Sequence, residues 1–309
     1  MIQRIALLLR ERFPVLPSLV GAALLATCAD VVGTRLLGRH SHLDGVSVAM
    51  AIVVFCLFFV VRGVDELRDL PGDRLAHPER PLPRGAITPR DVVVAVVVAA
   101  LAAIGAGLMV GGPGGGCAVA AVLLLTVLLQ LDVGLRFIAR RPLLTLVVHQ
   151  SMVPLWVLLV MVVRHLDDVS TVDDTTLFTA LSPALSPSLW PALALATGLS
   201  LLFELGRKVH HPDDENPLDD SYSSRWGPRA AAAVVAVVAL AIGGVVWVVT
   251  STLSLPVWSA LVPGVALVWV VGSCAVFVVA PRRGGGRPIA LSTALASLWV
   301  YLPLVVGAV

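Results

Sequence analysis

Strongly apolar runs recur along this chain near residues 14–34, 46–64, 91–111, 117–137, 143–163, 189–206, 229–250, 257–280 and 288–308. Each approaches the roughly 20 residues that a helix needs to cross about 30 Å of hydrocarbon. Backbone N–H and C=O groups find no water partners in lipid, so each run is predicted as helix, even where valine is frequent. The polar positions fall mainly between the runs, in links that are mostly short. Two links are longer, charged and proline-containing: Asp65 to Arg90 and Arg207 to Arg229. A third, Gly111 to Gly116, carries no side-chain chemistry and reads as a flexible turn. The pattern predicts an all-α polytopic membrane protein of about nine transmembrane helices, forming a single domain over 1–309.

Composition agrees with that reading, since 58% of the 309 residues are hydrophobic and only 14% charged. So little polar surface would not cover a water-soluble globule of this size. With the N-terminus in the cytoplasm, all of the 22 basic residues except Arg35, Arg39 and Arg164 fall on the cytoplasmic side. The positive-inside rule thus supports nine spans and an external C-terminus, in what reads as the cytoplasmic membrane of a prokaryote. The net charge of +2 is spread along the chain with no basic face, which argues against a nucleic-acid partner. Cys28, Cys56, Cys117 and Cys274 stand singly in apolar runs and read as small core residues. Leu25-Ala26-Thr27-Cys28 departs from a lipoprotein cleavage signal at Thr27, and the first run is read as an uncleaved span.

The first charged link begins Arg62-Gly63-Val64-Asp65-Glu66-Leu67-Arg68-Asp69-Leu70-Pro71-Gly72-Asp73. Continued helix would place Asp65, Glu66 and Asp69 on one face, with Pro71 and Gly72 ending it and leaving Asp73 on a loop. Like charges at 4 Å repel by roughly 4 kcal/mol at an effective dielectric near 20, so a positive group is expected among them. Arg62 and Arg68 could supply it; so could a divalent cation, for which oxygen-only ligands suit magnesium.

The second link begins Glu204-Leu205-Gly206-Arg207-Lys208-Val209-His210-His211-Pro212-Asp213-Asp214. Glu204, Lys208 and His211 are predicted on one helical face with Arg207 beside them, and Pro212 then releases the chain into an acidic loop. Lys208 is the only lysine in the chain. Beside a carboxylate it points to a phosphate-contacting charge, or to an interfacial anchor. His210 and His211 are neighbours that would point apart on a helix, against a zinc site.

Polar groups inside spans are functional candidates by default. Asp132 lies with Gln130 and Arg136 in the fourth run, His149 with Gln150 in the fifth, and Asp30 with Arg35 near the external end of the first. Asp132 is equally a functional group or a structural partner of Arg136 at the next turn, His149 is a functional candidate, and Asp30 reads as structural.

The chain as a whole resembles the UbiA-type intramembrane prenyltransferase superfamily. Asp65-Glu66-x-x-Asp69-x-x-x-Asp73 is similar to that family's Asn-Asp-x-x-Asp-x-x-x-Asp motif, with Asp65 in place of Asn and Glu66 in place of Asp. Arg80-Pro81-Leu82-Pro83-Arg84-Gly85 looks like its Arg-Pro-Leu-Pro-x-Gly signature. The second motif matches more loosely, through Glu204, the Asp213-Asp214 pair and the small polar run from Ser221 to Gly227; His210 replaces an acidic residue of many members.

The resemblance implies a UbiA-like bundle around a central cavity, capped by loops 65–90 and 207–229, with the two clusters facing one another. Glu66, Asp69, Asp73, Glu204, Asp213 and Asp214 would hold Mg²⁺. Asp65, Asp69 and Asp214 would be catalytic, and Arg62, Arg80, Arg207 and Lys208 would contact an isoprenyl diphosphate. Transfer of the prenyl group to a small aromatic or lipid acceptor is the implied reaction. A terpene cyclase of the same architecture, needing no acceptor, and a non-catalytic transporter or assembly factor are the alternatives.

Overall fold

The computed structural model describes residues 2–131, 142–168, 186–215 and 221–309, and among them no strand occurs. The helices are α1 (Ile2–Arg12), α2 (Val15–Leu36), α3 (Gly45–Arg68), α4 (Leu70–Ala76), α5 (Pro89–Gln130), α6 (Pro142–Gln150), α7 (Met152–Asp168), α8 (Trp190–Gly206), α9 (Tyr222–Trp226), α10 (Pro228–Thr252), α11 (Trp258–Val279) and α12 (Gly286–Ala308).

Eight stretches among the described residues are long and apolar enough to span a membrane, and one of them, α5, has 42 residues. At 1.5 Å per residue α5 would be about twice the thickness of the hydrocarbon core. It breaks at Gly112 (φ 56°, ψ −155°), followed by Pro113, so its two arms are two of the expected spans. The glycines there do more than form a loose turn. A Cβ on Gly115 would lie 2.5 Å from the Gly107 carbonyl oxygen, so the arms approach closely where side chains are missing. Helices α6 and α7 together make one span, Leu144–Leu166, interrupted at Ser151.

Large apolar side chains are exposed on the outer faces, among them Leu101, Val237, Leu240 and Val265. Helices apolar outside as well as inside have lipid as their solvent. The chain is an integral membrane protein.

It divides into two compact units. The first comprises Met1–Asp30 with Leu43–Ser186, the second Val31–His42 with Pro187–Val309. In the first, α3 packs on α5 and α5 on α7, with Met50, Val53 and Leu57 fully buried. In the second, α10 packs on α8 and α11, and α12 on α8 and α11, around Leu195, Leu199, Phe277, Ile289 and Leu304. Of the cysteines, three are buried but Cys117 is exposed, a correction to its reading as core.

Helix α1 was not expected, being too short to span. Leu8 and Phe13, just beyond its end, are buried with Phe59, Leu82, Ile87, Val92 and Ala95. Phe13 meets Phe59 edge-on, with ring centroids 5.2 Å apart. This packing fixes the loop 77–88 against the base of α3.

Asp30 does not pair with Arg35, whose Nη1 donates instead to the Ala308 carbonyl. The partner of Asp30 is Arg164, which donates from Nε to Asp30 Oδ1 at 2.7 Å and from Nη1 to Asp44 Oδ2 at 2.6 Å. Ser47 Oγ completes the arrangement by donating to Asp30 Oδ2 at 2.6 Å. Asp44 also caps α3, accepting from the amides of Val46 and Ser47. One arginine on α7 therefore joins α2 and α3, a buried clamp made by residues far apart in sequence. Bonding to Arg164 holds the Asp44 carboxyl well below the ordinary aspartate range.

Candidate active site

The acidic stretch expected to be one helix and a loop is two helices. Helix α3 ends at Arg68, and α4 starts at once with Pro71 in its first turn. Proline lacks an N–H, and the first turn of a helix does not need one, so Pro71 begins α4 where it was expected only to end α3. Asp73 is consequently a helical, buried residue and not a loop residue.

Nor do Asp65, Glu66 and Asp69 act as one face. Consecutive helical residues diverge by about 100°, and Asp65 and Glu66 go separate ways. Glu66 is 3% exposed, and its Oε1 accepts from Arg12 Nε at 2.8 Å and also from Arg62 Nη2. Its Oε2 is buried without a hydrogen-bond partner. Asp65 Oδ1 accepts from Gln130 Nε2 and lies 2.8 Å from Arg68 Nη2. Arg68 Nε donates to Asp69 Oδ1 at 2.9 Å, while its Nη1 reaches the Gln130 carbonyl at 2.7 Å. Arg80 Nη1 donates to Asp73 Oδ1 at 2.6 Å.

Every carboxylate of the first cluster is thus bonded to an arginine. Arg62 and Arg68, the counter-charges expected from sequence, are both among these arginines. Three of the groups involved escaped the sequence reading. Gln130 was grouped with Asp132, which lies outside the described residues. Arg12 counted only as a topogenic charge, although Ile5, Leu8, Leu9 and Arg12 have the i, i+3, i+4, i+7 spacing of an amphipathic helix. Arg68 was weighed as a counter-charge but not as a site residue.

In the second cluster, α8 stops at Gly206, and His211 is not on the face of Glu204. The chain turns there to bury Val209, whose carbonyl oxygen would be 2.0 Å from a Cβ on Gly286 of α12. Glu204 and Lys208 do meet, at 3.0 Å from Nζ to Oε1, and Arg207 Nε donates to Glu204 Oε2 at 2.7 Å. Lys208 Nζ also stands 5.4 Å from the centre of the Tyr222 ring. Asp213 and Asp214 sit on a single 3-10 turn, Pro212–Asp214, where His211 Nδ1 accepts from the Asp213 amide at 3.2 Å. Arg283 Nε donates to Asp213 Oδ2 at 2.9 Å and holds that carboxyl below its ordinary range. His210 is engaged through its backbone, donating to Ser223 Oγ at 2.8 Å. The small polar run forms α9, capped by Ser221, whose hydroxyl donates to Glu215 Oε1 at 2.7 Å.

As the side chains stand, no three acidic, histidine or cysteine groups among the described residues are gathered closely enough to hold an ion. The donor set nevertheless fits magnesium in kind: it is all oxygen, and the bonds of Asp65, Asp69 and Asp73 to arginine fall on Oδ1. The partnerless Oε2 of Glu66 is a further oxygen. Holding an ion would require these carboxylates to rotate out of their arginine pairs.

His149 is half-buried near the end of α6, and the neighbouring Gln150 Oε1 is buried without a partner.

Two solved structures share this arrangement of helices. A UbiA homologue from Aeropyrum pernix K1, in its apo form, matches 90% of this chain and 96% of its own with a TM-score of 0.63 at 16% identity. The chain shares the fold of this UbiA homologue. A digeranylgeranylglyceryl phosphate synthase matches 99% of both chains with a TM-score of 0.60 at 11% identity. No family model matches the sequence, and no curated protein does. At such identities the UbiA-type likeness is one of fold, and the chemistry must be argued from this chain's own residues.

Proposed function

We propose that this protein is an intramembrane prenyltransferase, which ionises an isoprenyl diphosphate with the help of Mg²⁺ and transfers the prenyl group to a small aromatic or lipid acceptor. The observation that carries the reading is the Asp73–Arg80 pair. It joins the acidic motif of α3 and α4 to the Arg80-Pro81-Leu82-Pro83-Arg84-Gly85 loop, bringing hard oxygen ligands and a phosphate-binding guanidinium to one place.

Mg²⁺, when bound, would neutralise the charge that develops on the departing diphosphate. Glu66, Asp69, Asp73, Glu204, Asp213 and Asp214 are the carboxylates assigned to hold Mg²⁺, and Asp65, Asp69 and Asp214 are assigned to catalysis. Arg62, Arg80, Arg207 and Lys208 are assigned to the diphosphate oxygens, where preformed cations stabilise the leaving group without reorganising at the moment of reaction. The prenyl tail and its allylic cation would lie among the apolar spans, away from water. His149 is assigned to the acceptor side, together with Asp132. The acidic motifs, with the N-terminus, are placed in the cytoplasm and the C-terminus outside, by the distribution of arginine.

A second reading, cyclisation of the same cation, is favoured by the two motif substitutions, Asp65 and Glu66, both of which are engaged by neighbouring side chains. The test is to incubate the purified protein with Mg²⁺ and isoprenyl diphosphates of several lengths, with and without aromatic and lipid acceptors, and analyse the products. Prenylated acceptor supports transfer, whereas cyclic hydrocarbons formed without acceptor would replace transfer by cyclisation.

A further inference from the structure

The turn carrying Asp213 and Asp214 is held by a segment 70 residues away. Between α11 and α12 the chain runs Arg282-Arg283-Gly284-Gly285, and Gly286 opens α12. Arg283 Nε donates to Asp213 Oδ2 at 2.9 Å, and the Gly284 amide donates to Asp214 Oδ2 at 2.6 Å. Each carboxylate keeps its Oδ1 out of these bonds.

Each of these glycines has its own reason to be there. Gly284 has φ +69°, which favours a residue without Cβ. A Cβ on Gly285 would be 2.7 Å from the Phe277 ring, and one on Gly286 would be 2.0 Å from the Val209 carbonyl oxygen. The loop therefore lies against the segment that leads into the acidic turn.

Stability does not explain the contact. The Arg283 and Asp213 side chains are 75% and 50% exposed, and ion pairs in water contribute little to a fold. Adjacent aspartates on one short turn repel one another, and here two different donors from one loop, a guanidinium and an amide, hold them apart from each other's charge.

We propose that Arg283 and the Gly284 amide are positioning groups that set Asp213 and Asp214 for a divalent cation and diphosphate. Resting on the proposed function, this adds the α11–α12 loop to the site. Arg283 acts through Asp213, and its own contact with the ligand is not required.

The test uses the full chain in detergent, with Mn²⁺ standing for Mg²⁺ and inorganic pyrophosphate as the probe. Mn²⁺ binding is read by electron paramagnetic resonance and pyrophosphate binding by calorimetry. Arg283→Gln is expected to weaken Mn²⁺-dependent pyrophosphate binding about tenfold, a change in the range measured for charge-assisted hydrogen bonds. Arg283→Lys should restore part of it, and Arg282→Gln, which removes the same charge from the same loop, should leave it unchanged. Gly284→Ala, strained at positive φ, should weaken binding in the same direction. In an Asp213→Asn background Arg283→Gln should add nothing, as expected of two groups acting as one. Equal effects of Arg283→Gln and Arg282→Gln, tighter Mn²⁺ binding in Arg283→Gln, or an undiminished effect in the Asp213→Asn background would each overturn the proposal. Failure of the wild type to bind pyrophosphate would overturn it together with the proposed function; normal wild-type binding with an inert Arg283→Gln would overturn it alone.

Discussion

Arg80 Nη1 lies 2.6 Å from Asp73 Oδ1, a charge-assisted bond between the loop after α4 and a buried carboxylate within it. In the proposed reaction this guanidinium passes from Asp73 to the diphosphate. Arg80→Gln should therefore raise KM for an isoprenyl diphosphate about tenfold or more, with Arg80→Lys intermediate because it keeps the charge but loses the fork geometry. Steady-state kinetics on the two variants check this; equal KM values for Arg80→Gln and wild type would remove Arg80 from the diphosphate contacts.

The arginine pairs of the first cluster also imply linkage. A cation alone must displace Arg68 and Arg80 from Asp65, Asp69 and Asp73, and a diphosphate alone must draw the same arginines away from their carboxylates. Each ligand removes the obstacle to the other. Pyrophosphate is expected to raise Mn²⁺ affinity about tenfold or more, and Mn²⁺ to raise pyrophosphate affinity by the same factor, as reciprocity requires. Chelation of divalent ions should abolish turnover. Titrations of each ligand with and without the other test this, and independent binding would contradict it.

The spans were legible from their apolar length; the faces of the carboxylates were not, since Asp65 and Glu66 diverge and Asp73 is helical. Nor were the partners, because they come from distant segments: Gln130 to Asp65 across 65 residues, Arg283 to Asp213 across 70. Local rules also misplaced boundaries. By those rules Pro71 is a stop, yet it also suits a first turn. Helix α8 was carried on to His211, whereas the packing of Gly286 against the Val209 backbone turns the chain after Gly206. Helix α1 has 11 residues, too few to register as a span, and its arginines drew attention to topology instead of to Glu66.

The Arg164 clamp predicts a large stability effect away from the site. Arg164→Met would leave Asp30, 1% exposed, without its counter-charge. Breaking such a buried pair from one side costs about 3–5 kcal/mol, and Asp30→Asn in the same chain should recover part of it. Thermal or denaturant unfolding in detergent measures both. The Asp44 carboxyl, held below its ordinary value chiefly by Arg164, stabilises the fold in full above about pH 3.9, the unfolded aspartate value. That contribution is lost only as pH falls through the lower folded value, so mild acid at pH 5 should not open the clamp.

The break in α5 predicts opposite outcomes for two glycines of the same helix. A Cβ on Gly115 would meet the Gly107 carbonyl oxygen at 2.5 Å, whereas one on Gly105 would meet nothing within 4 Å. Gly115→Ala should destabilise by about 1–3 kcal/mol through overpacking. Gly105→Ala should be neutral or stabilise by up to about 1 kcal/mol, since alanine favours helix over glycine. Parallel unfolding curves decide it, and equal effects would mean that the two arms are not closely packed at Gly107 and Gly115.

The acidic stretch of α3 and α4 is proposed to serve Mg²⁺-dependent cleavage of an isoprenyl diphosphate. The most direct test is release of pyrophosphate from isoprenyl diphosphates of several chain lengths by the purified wild type and by Asp69→Asn, with aromatic and lipid acceptors supplied. Mg²⁺-dependent release is expected from the wild type with at least one chain length, with a loss of about a hundredfold or more in Asp69→Asn, on the scale of removing one group that stabilises charge in a transition state. No release by the wild type with any substrate and acceptor, or equal release by Asp69→Asn, would contradict it.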